Sequence, residues 1–160
     1  MGEVTYTEFP FKTTPYSHQL QCWRLSKDRT AFGFFMDMGT GKSKVVIDTA
    51  GYLYMKNLIN AQVIVAPKGM YNSWIDEQLP THTTDAVPSL WALWSSYARK
   101  EERDALKKLY QEGNFLRTLV VNVEALSDHI KQQTDDIHEI RESQDRMEKH
   151  LIPEPTEKKP

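Results

Sequence analysis

The chain has 160 residues, 39% of them hydrophobic, which is enough to bury one core. Its formal net charge of -2 at pH 7 excludes a global basic field, so any nucleic-acid contact must come from a local patch. The single cysteine, Cys22, excludes an intrachain disulfide and a zinc site of clustered Cys and His. No apolar run reaches membrane-spanning length, so we expect a soluble, cytoplasmic protein.

Four short apolar runs predict β-strands along the chain. They are AFGFFM at 31–36, QVIVA at 62–66, SLWALW at 89–94 and TLVVNV at 118–123, each rich in β-branched or aromatic residues. Segments of helical length lie between them, including a charged amphipathic stretch at 98–113 that ends in Gly113. Because strands and helices alternate, we predict an α/β fold with a parallel sheet flanked by helices.

A glycine-rich turn, MDMGTGKS at 36–43, follows the first predicted strand. Glycines let backbone N–H groups approach closely, and such a loop at the positive end of a helix forms a nest for anions. In this pattern Lys42 reaches the β- and γ-phosphates as a point charge, and the Ser43 hydroxyl ligates the bridging Mg²⁺. The predicted phosphate site consists of Gly39, Thr40, Gly41, Lys42 and Ser43.

The strict phosphate-loop pattern, G-x-x-x-x-G-K-[ST], is not met, because Met36 takes the place of its first glycine. However, MDMGTGKS resembles motif I of superfamily 2 helicases and translocases, especially the Snf-type DNA translocases. Three further stretches are similar to that family in order and spacing. They are PYSHQLQCW at 15–23, VIVAPKGMYNSWIDEQLPTH at 63–82 and LVVNVEALS at 119–127. The resemblance is collinear over residues 9–127.

This resemblance implies a partial RecA-like lobe over residues 1–127 that binds ATP and Mg²⁺. The stretch at 15–23 is similar to the Q-type motif, which assigns Gln19 to the adenine edge. The stretch at 63–82 is similar to motif Ia, whose Ala-Pro-Lys turn faces the DNA backbone, and this assigns Lys68 to a DNA phosphate. The stretch at 119–127 is similar to the next strand and turn, which also face nucleic acid.

A hydrolase of this class also needs an apolar strand that ends in Asp-Glu, to hold Mg²⁺ and orient the attacking water. The nearest string, DDIH at 135–138, follows KQQT rather than an apolar run, so we expect Asp135 and Asp136 on a solvated helix face. The second lobe and its arginine finger are not recognised either. We therefore assign no catalytic residue and expect ATP binding without hydrolysis, as in a truncated translocase.

Residues 128–151 predict one exposed amphipathic helix, because the segment has neither glycine nor proline. Heptad position a is taken by Ile130, Ile137, Gln144 and Leu151, and position d by Gln133, Ile140 and Met147. This is a weak coiled-coil seam with two polar breaks. The proline-rich, charged segment 152–160 is predicted to be disordered.

Two other functions remain open. One alternative is a non-catalytic interaction module whose tail helix pairs with a partner. A third possibility is a split-protein subunit that a second chain completes by supplying the Asp-Glu strand and second lobe. The tryptophans favour none of these, because we expect Trp23, Trp74, Trp91 and Trp94 to pack in the core.

Overall fold

The structure, a computed structural model, describes residues 9–95 and 99–151, without the side chains of residues 125 and 143–151. The segment 152–160, predicted to be disordered, lies outside the described residues. The helices are α1 (Ser17–Ser26), α2 (Lys42–Met55), α3 (Tyr71–Ser73), α4 (Leu79–His82), α5 (Lys100–Lys108) and α6 (Val123–Leu151), with a π-helical segment (Trp74–Gln78) between α3 and α4. The strands are β1 (Ala61–Ala66), β2 (Ser89–Trp94) and β3 (Leu116–Asn122).

The three strands form one small, open, parallel sheet in the order β1-β3-β2. Val120, at the centre of β3, is fully buried and lies in register with Ile64 of β1 and Leu93 of β2. Alternate residues of a strand point to opposite faces, so these three side chains share one face of the sheet. The predicted mixed α/β arrangement with a parallel sheet flanked by helices is therefore confirmed.

The main core covers this face of the sheet. Ile47 of α2 and Leu79 of α4 pack with the three strand residues named above. Trp74 and Trp91 are half-buried against the same cluster, as their predicted role in the core requires. The sheet and the segment from α3 to α4 thus bury their apolar residues against α2, which fixes the position of that helix.

A second core holds α1 against α2. Phe9, Leu20, Trp23 and Val45 are buried together. The Phe9 and Trp23 rings lie 5.8 Å apart between centroids, and Phe11 meets the Trp23 ring edge-on at 5.1 Å. Such aromatic contacts contribute stability beyond that of the apolar area that these large rings bury. This cluster positions α1, and with it Gln19, beside the start of α2.

The strand predicted at 31–36 is wrong. The segment has no regular secondary structure, and it pairs with none of the three strands that the structure describes. Phe34 and Met36 are half-buried, whereas Phe32 and Phe35 are exposed. The alternation typical of a strand is present, but a strand needs a neighbour to satisfy its backbone groups, and this segment has none among the described residues.

The helix predicted at 98–113 is shorter in the structure, where α5 ends at Lys108. Three successive backbone hydrogen bonds of the 3₁₀ type follow it. Each runs from an N–H group to the carbonyl three residues earlier, and the donors are Leu109, Tyr110 and Gln111. The Arg117 guanidinium then donates to the carbonyls of Leu109, Gln111, Gly113 and Phe115. The α-helical bonds therefore give way to three-residue turns after Lys108, and Arg117 satisfies the carbonyls of the segment that follows.

The helix predicted at 128–151 is present but begins earlier. In the structure α6 starts at Val123, directly after β3. The contacts divide the chain into two units between Val123 and Glu124. Asp135 and Asp136 lie on α6 and are exposed, as predicted for a solvated helix face. Among the described helices, none is long and apolar enough to cross a membrane.

Candidate functional site

The glycine-rich turn forms an irregular loop immediately before α2. Gly39 and Gly41 both have left-handed backbone conformations, with φ of 76° and 79°. Glycine adopts this conformation at no steric cost, whereas for other residues it costs about 1–2 kcal/mol. Lys42 and Ser43 are the first two residues of α2, so their N–H groups have no partner within the helix. Backbone donors and the positive helix end therefore meet at this loop.

The Lys42 side chain folds back over the loop. Its Nζ donates to the carbonyl oxygens of Met36 at 2.9 Å and Asp37 at 2.8 Å. The Thr40 hydroxyl donates to the same Asp37 carbonyl at 2.8 Å. Both acceptors are neutral, so an anionic oxygen would be a stronger partner for the ammonium group. Lys42 is thus held at the loop by two bonds to neutral carbonyl oxygens.

Gln19 lies in α1 and fastens that helix to the loop. Its Oε1 accepts from the Tyr16 N–H at 3.0 Å, and its Nε2 donates to the Thr40 carbonyl at 3.1 Å. A side-chain amide has two donors and two acceptor lone pairs, so half of this capacity is used within the chain. Gln19, the residue predicted to read adenine, is 5% exposed, and it supports the glycine-rich loop through its bond to Thr40.

His18 is a loop contact that the sequence interpretation did not identify. Its Nε2 lies 3.1 Å from the Thr40 carbonyl oxygen. A carbonyl oxygen only accepts, so Nε2 must carry the proton in this bond. The ring also stacks on the exposed Tyr16 ring, at 5.8 Å between centroids and 13° between planes. Its place directly before Gln19 in PYSHQ is the one sequence signal that pointed to it.

The two remaining predicted site residues, Ser43 and Lys68, lie in different parts of the structure. Ser43 is half-buried at the start of α2, next to Lys42. Lys68 is exposed in the turn after β1, which the bond from the Met70 N–H to the Pro67 carbonyl closes at 2.8 Å. The structure therefore brings Gln19 and residues 39–43 together. Within the described residues, no hydrogen bond or ion pair joins Lys68 to them.

A buried ion pair lies within the first two turns of α2, and sequence reasoning missed it. Lys44 Nζ and Asp48 Oδ2 are 2.7 Å apart, with side chains 4% and 2% exposed. Burial raises the pKa of Asp48 to about 6, although the Lys44 charge opposes this. No described residue offers a hydrogen bond to Asp48 Oδ1. The i,i+4 spacing of Lys44 and Asp48 was the available signal.

His82 of α4 belongs to the same environment. Its Nδ1 lies 2.9 Å from the Thr13 hydroxyl. Burial lowers the pKa of His82, and the nearby Lys44 charge lowers it further. The Lys44 ammonium also lies 5.2 Å from the centroid of the Phe11 ring. These groups connect α2, α4 and the segment before α1. They therefore stabilise the packing of α2, which carries the glycine-rich loop at its start.

The Ser43 hydroxyl is one oxygen donor, and the described residues contain no cluster of three or more His, Cys, Asp or Glu side chains that would hold a metal ion by themselves. A Mg²⁺ ion bound together with phosphate would need few protein ligands, because that ion keeps several of its waters. Comparisons with models of known families, with curated protein sequences and with solved structures find no match to this chain.

Proposed function

We propose that the chain binds ATP with Mg²⁺ at the loop 36–43, as part of a Snf-like, RecA-like translocase lobe. The observation that carries this proposal is the pair of left-handed glycines, Gly39 and Gly41, directly before a helix that begins with Lys42 and Ser43. This backbone directs N–H donors and a helix N-terminus to one place, and phosphate is the ligand that such an arrangement favours.

The residues of the loop each bind or support a different part of the nucleotide. The N–H groups near Gly39 and Gly41 bind phosphate oxygens, and Thr40 holds the loop in shape through its hydroxyl and its carbonyl. Lys42 exchanges its two carbonyl bonds for the β- and γ-phosphates. The Ser43 hydroxyl ligates Mg²⁺, which supplies charge neutralisation between these phosphates. The ligand thus replaces contacts that the loop makes with itself.

Gln19 would read the adenine edge with the donor and the lone pair that its bonds to Thr40 and Tyr16 leave over. Because one amide contacts the loop and reads the base, base recognition and phosphate binding are coupled through a single side chain. Lys68 would contact a DNA phosphate, since it is exposed just beyond the carboxyl end of β1. Ligands of open parallel sheets bind at that edge.

Titration calorimetry with ATP and Mg²⁺ tests the nucleotide site. Lys42→Ala should weaken binding by about 1.5–3 kcal/mol, the range for a hydrogen bond to a charged group. Lys108→Ala is the matched control, because Lys108 is an exposed lysine at the end of α5. Equal affinities of the parent chain and Lys42→Ala would refute the assignment, provided that both unfold at the same temperature.

The interaction-module alternative gains support from α6 rather than from the loop. Three of its isoleucines, Ile130, Ile137 and Ile140, are more than half exposed. A helix whose apolar side chains face water is better explained by association than by catalysis. This function is compatible with nucleotide binding by the other unit.

A further inference from the structure

We propose that α6 pairs with α6 of a second copy of this chain, in a parallel, in-register, two-stranded coiled coil. The inference is independent of nucleotide binding. It begins with the exposed fractions of Ile130, Ile137 and Ile140, which are 55%, 60% and 58%. These residues occupy positions a, a and d of one heptad frame, so they form a single stripe along the helix.

The remainder of the described helix surface suits a paired helix. The side chains between Lys131 and Arg141 are exposed, and apart from the two isoleucines they are polar or charged. The sequence continues the same spacing with Gln144, Met147 and Leu151. A narrow a and d stripe is typical of a coiled-coil seam, whereas a helix that packs on a globular core has a wider apolar face.

Charge complementarity identifies the partner and its direction. Asp136 is at position g and Arg141 is at position e of the next heptad, and both are exposed. In a parallel pair, g of one helix faces the following e of its partner, so Asp136 meets Arg141 of the second copy twice by symmetry. In an antiparallel pair g faces g and e faces e, which separates these charges. The same segment therefore complements itself only when the two helices are parallel.

The polar seam positions add to this argument. Gln133 at d and Gln144 at a lie across from themselves in an in-register parallel pair, where each amide can donate to and accept from its copy. A polar residue in the seam lowers stability but specifies register. We therefore expect a weak dimer with one alignment.

Sedimentation of the full chain over a concentration series tests the association. We expect a reversible monomer–dimer equilibrium that Ile137→Glu abolishes. His138→Glu introduces the same charge at the adjacent, exposed position b, so it should retain the dimer. A parent chain that is monomeric at every concentration would overturn the proposal, and so would equal loss in both variants.

Charge exchange tests the direction independently. Asp136→Arg and Arg141→Asp should each raise the dimer dissociation constant about tenfold, because two attractive pairs become repulsive. The double variant should restore the parent value. No restoration would exclude the parallel arrangement.

Oxidation gives a third readout. Cys22 is the only cysteine, so Cys22→Ser removes the background thiol. In that variant Ile130→Cys should form an intermolecular disulfide, because parallel register places each introduced thiol opposite its copy. A full-length antiparallel pair would separate the two thiols by more than about 20 Å, at about 1.5 Å per residue. A chain that forms no disulfide would contradict the proposal.

Discussion

Gly39 and Gly41 share a left-handed backbone, but their surroundings differ. A Cβ atom on Gly39 would meet no atom within 4 Å, whereas one on Gly41 would overlap Gln19 Nε2. Gly39 is therefore required for its conformation alone. Gly41 is required for its conformation and for the close approach of α1, so it couples the two helices through the loop.

This difference predicts unequal costs for the same substitution. Gly39→Ala should lower the free energy of unfolding by about 1–2 kcal/mol, the cost of a left-handed alanine. Gly41→Ala should cost more, because Gln19 must also move. In the Gln19→Ala background, Gly41→Ala should cost no more than Gly39→Ala in urea denaturation. Equal costs for the two glycines would show that the Gln19 contact is unimportant.

Gln19 predicts a nucleotide preference. If its amide reads the adenine edge, the chain should prefer ATP to GTP, since the donor and acceptor pattern matches one purine. Gln19→Ala should remove the preference. It should also weaken the binding of both nucleotides, because the hydrogen bond to the Thr40 carbonyl is lost. Competition titrations measure both effects. Parent protein that binds the two nucleotides equally would refute the adenine role while leaving the structural one.

At the scale of elements, the sequence predicted the strands that find partners. The runs at 62–66, 89–94 and 118–123 form β1, β2 and β3, since each has a neighbour in the sheet. The run at 31–36 is rich in aromatic residues but has no described neighbour, and propensity alone does not satisfy backbone groups. Partner choice depends on contacts between distant residues, which a local pattern does not contain.

The site was predictable to a similar extent. Glycine spacing located the loop, and the start of α2 at Lys42 follows from it. The contacts of His18 and the cluster around Asp48 depend on how α1, α2 and α4 pack, so the sequence signals at these residues did not identify their partners. The bonds of Arg117 to the segment after α5 were hidden for the same reason.

Asp48 predicts a pH-dependent stability. Its pKa is raised from 3.8 to about 6 by burial. Between these values the unfolded chain releases the proton and the folded chain keeps it, so the free energy of unfolding falls as pH rises, by about 2–4 kcal/mol. Asp48→Asn should remove this decrease in urea denaturation profiles, while its amide oxygen still accepts from Lys44.

His82 acts in the opposite direction and serves as an internal control. Burial lowers its pKa from 6.5, so the stability that it contributes is lost as pH falls below that value. In Asp48→Asn this opposing dependence should remain, and unfolding should become harder as pH rises. Superimposable profiles of parent and variant would show that Asp48 does not titrate in this range.

For the whole molecule, we expect no appreciable ATP hydrolysis by this chain alone, even with DNA. None of the three described strands ends in Asp-Glu, and an arginine finger is worth about 10³–10⁵ in rate where one is used. Asp135→Ala/Asp136→Ala tests the remaining candidates. DNA-stimulated phosphate release that disappears in this variant and in Lys42→Ala would reveal a complete catalytic site.

The order β1-β3-β2 leaves β1 with one neighbour among the described strands. Its sequence, AQVIVA, contains no charge and no proline, and Val63 and Val65 are 63% and 50% exposed. Natural edge strands usually carry a lysine, a proline or a bulge that prevents further pairing. Because β1 has none of these, we expect it to accept strands from other molecules, as in amyloid growth. Concentrated solutions of the folded chain should therefore lose soluble protein through sheet extension, without prior unfolding.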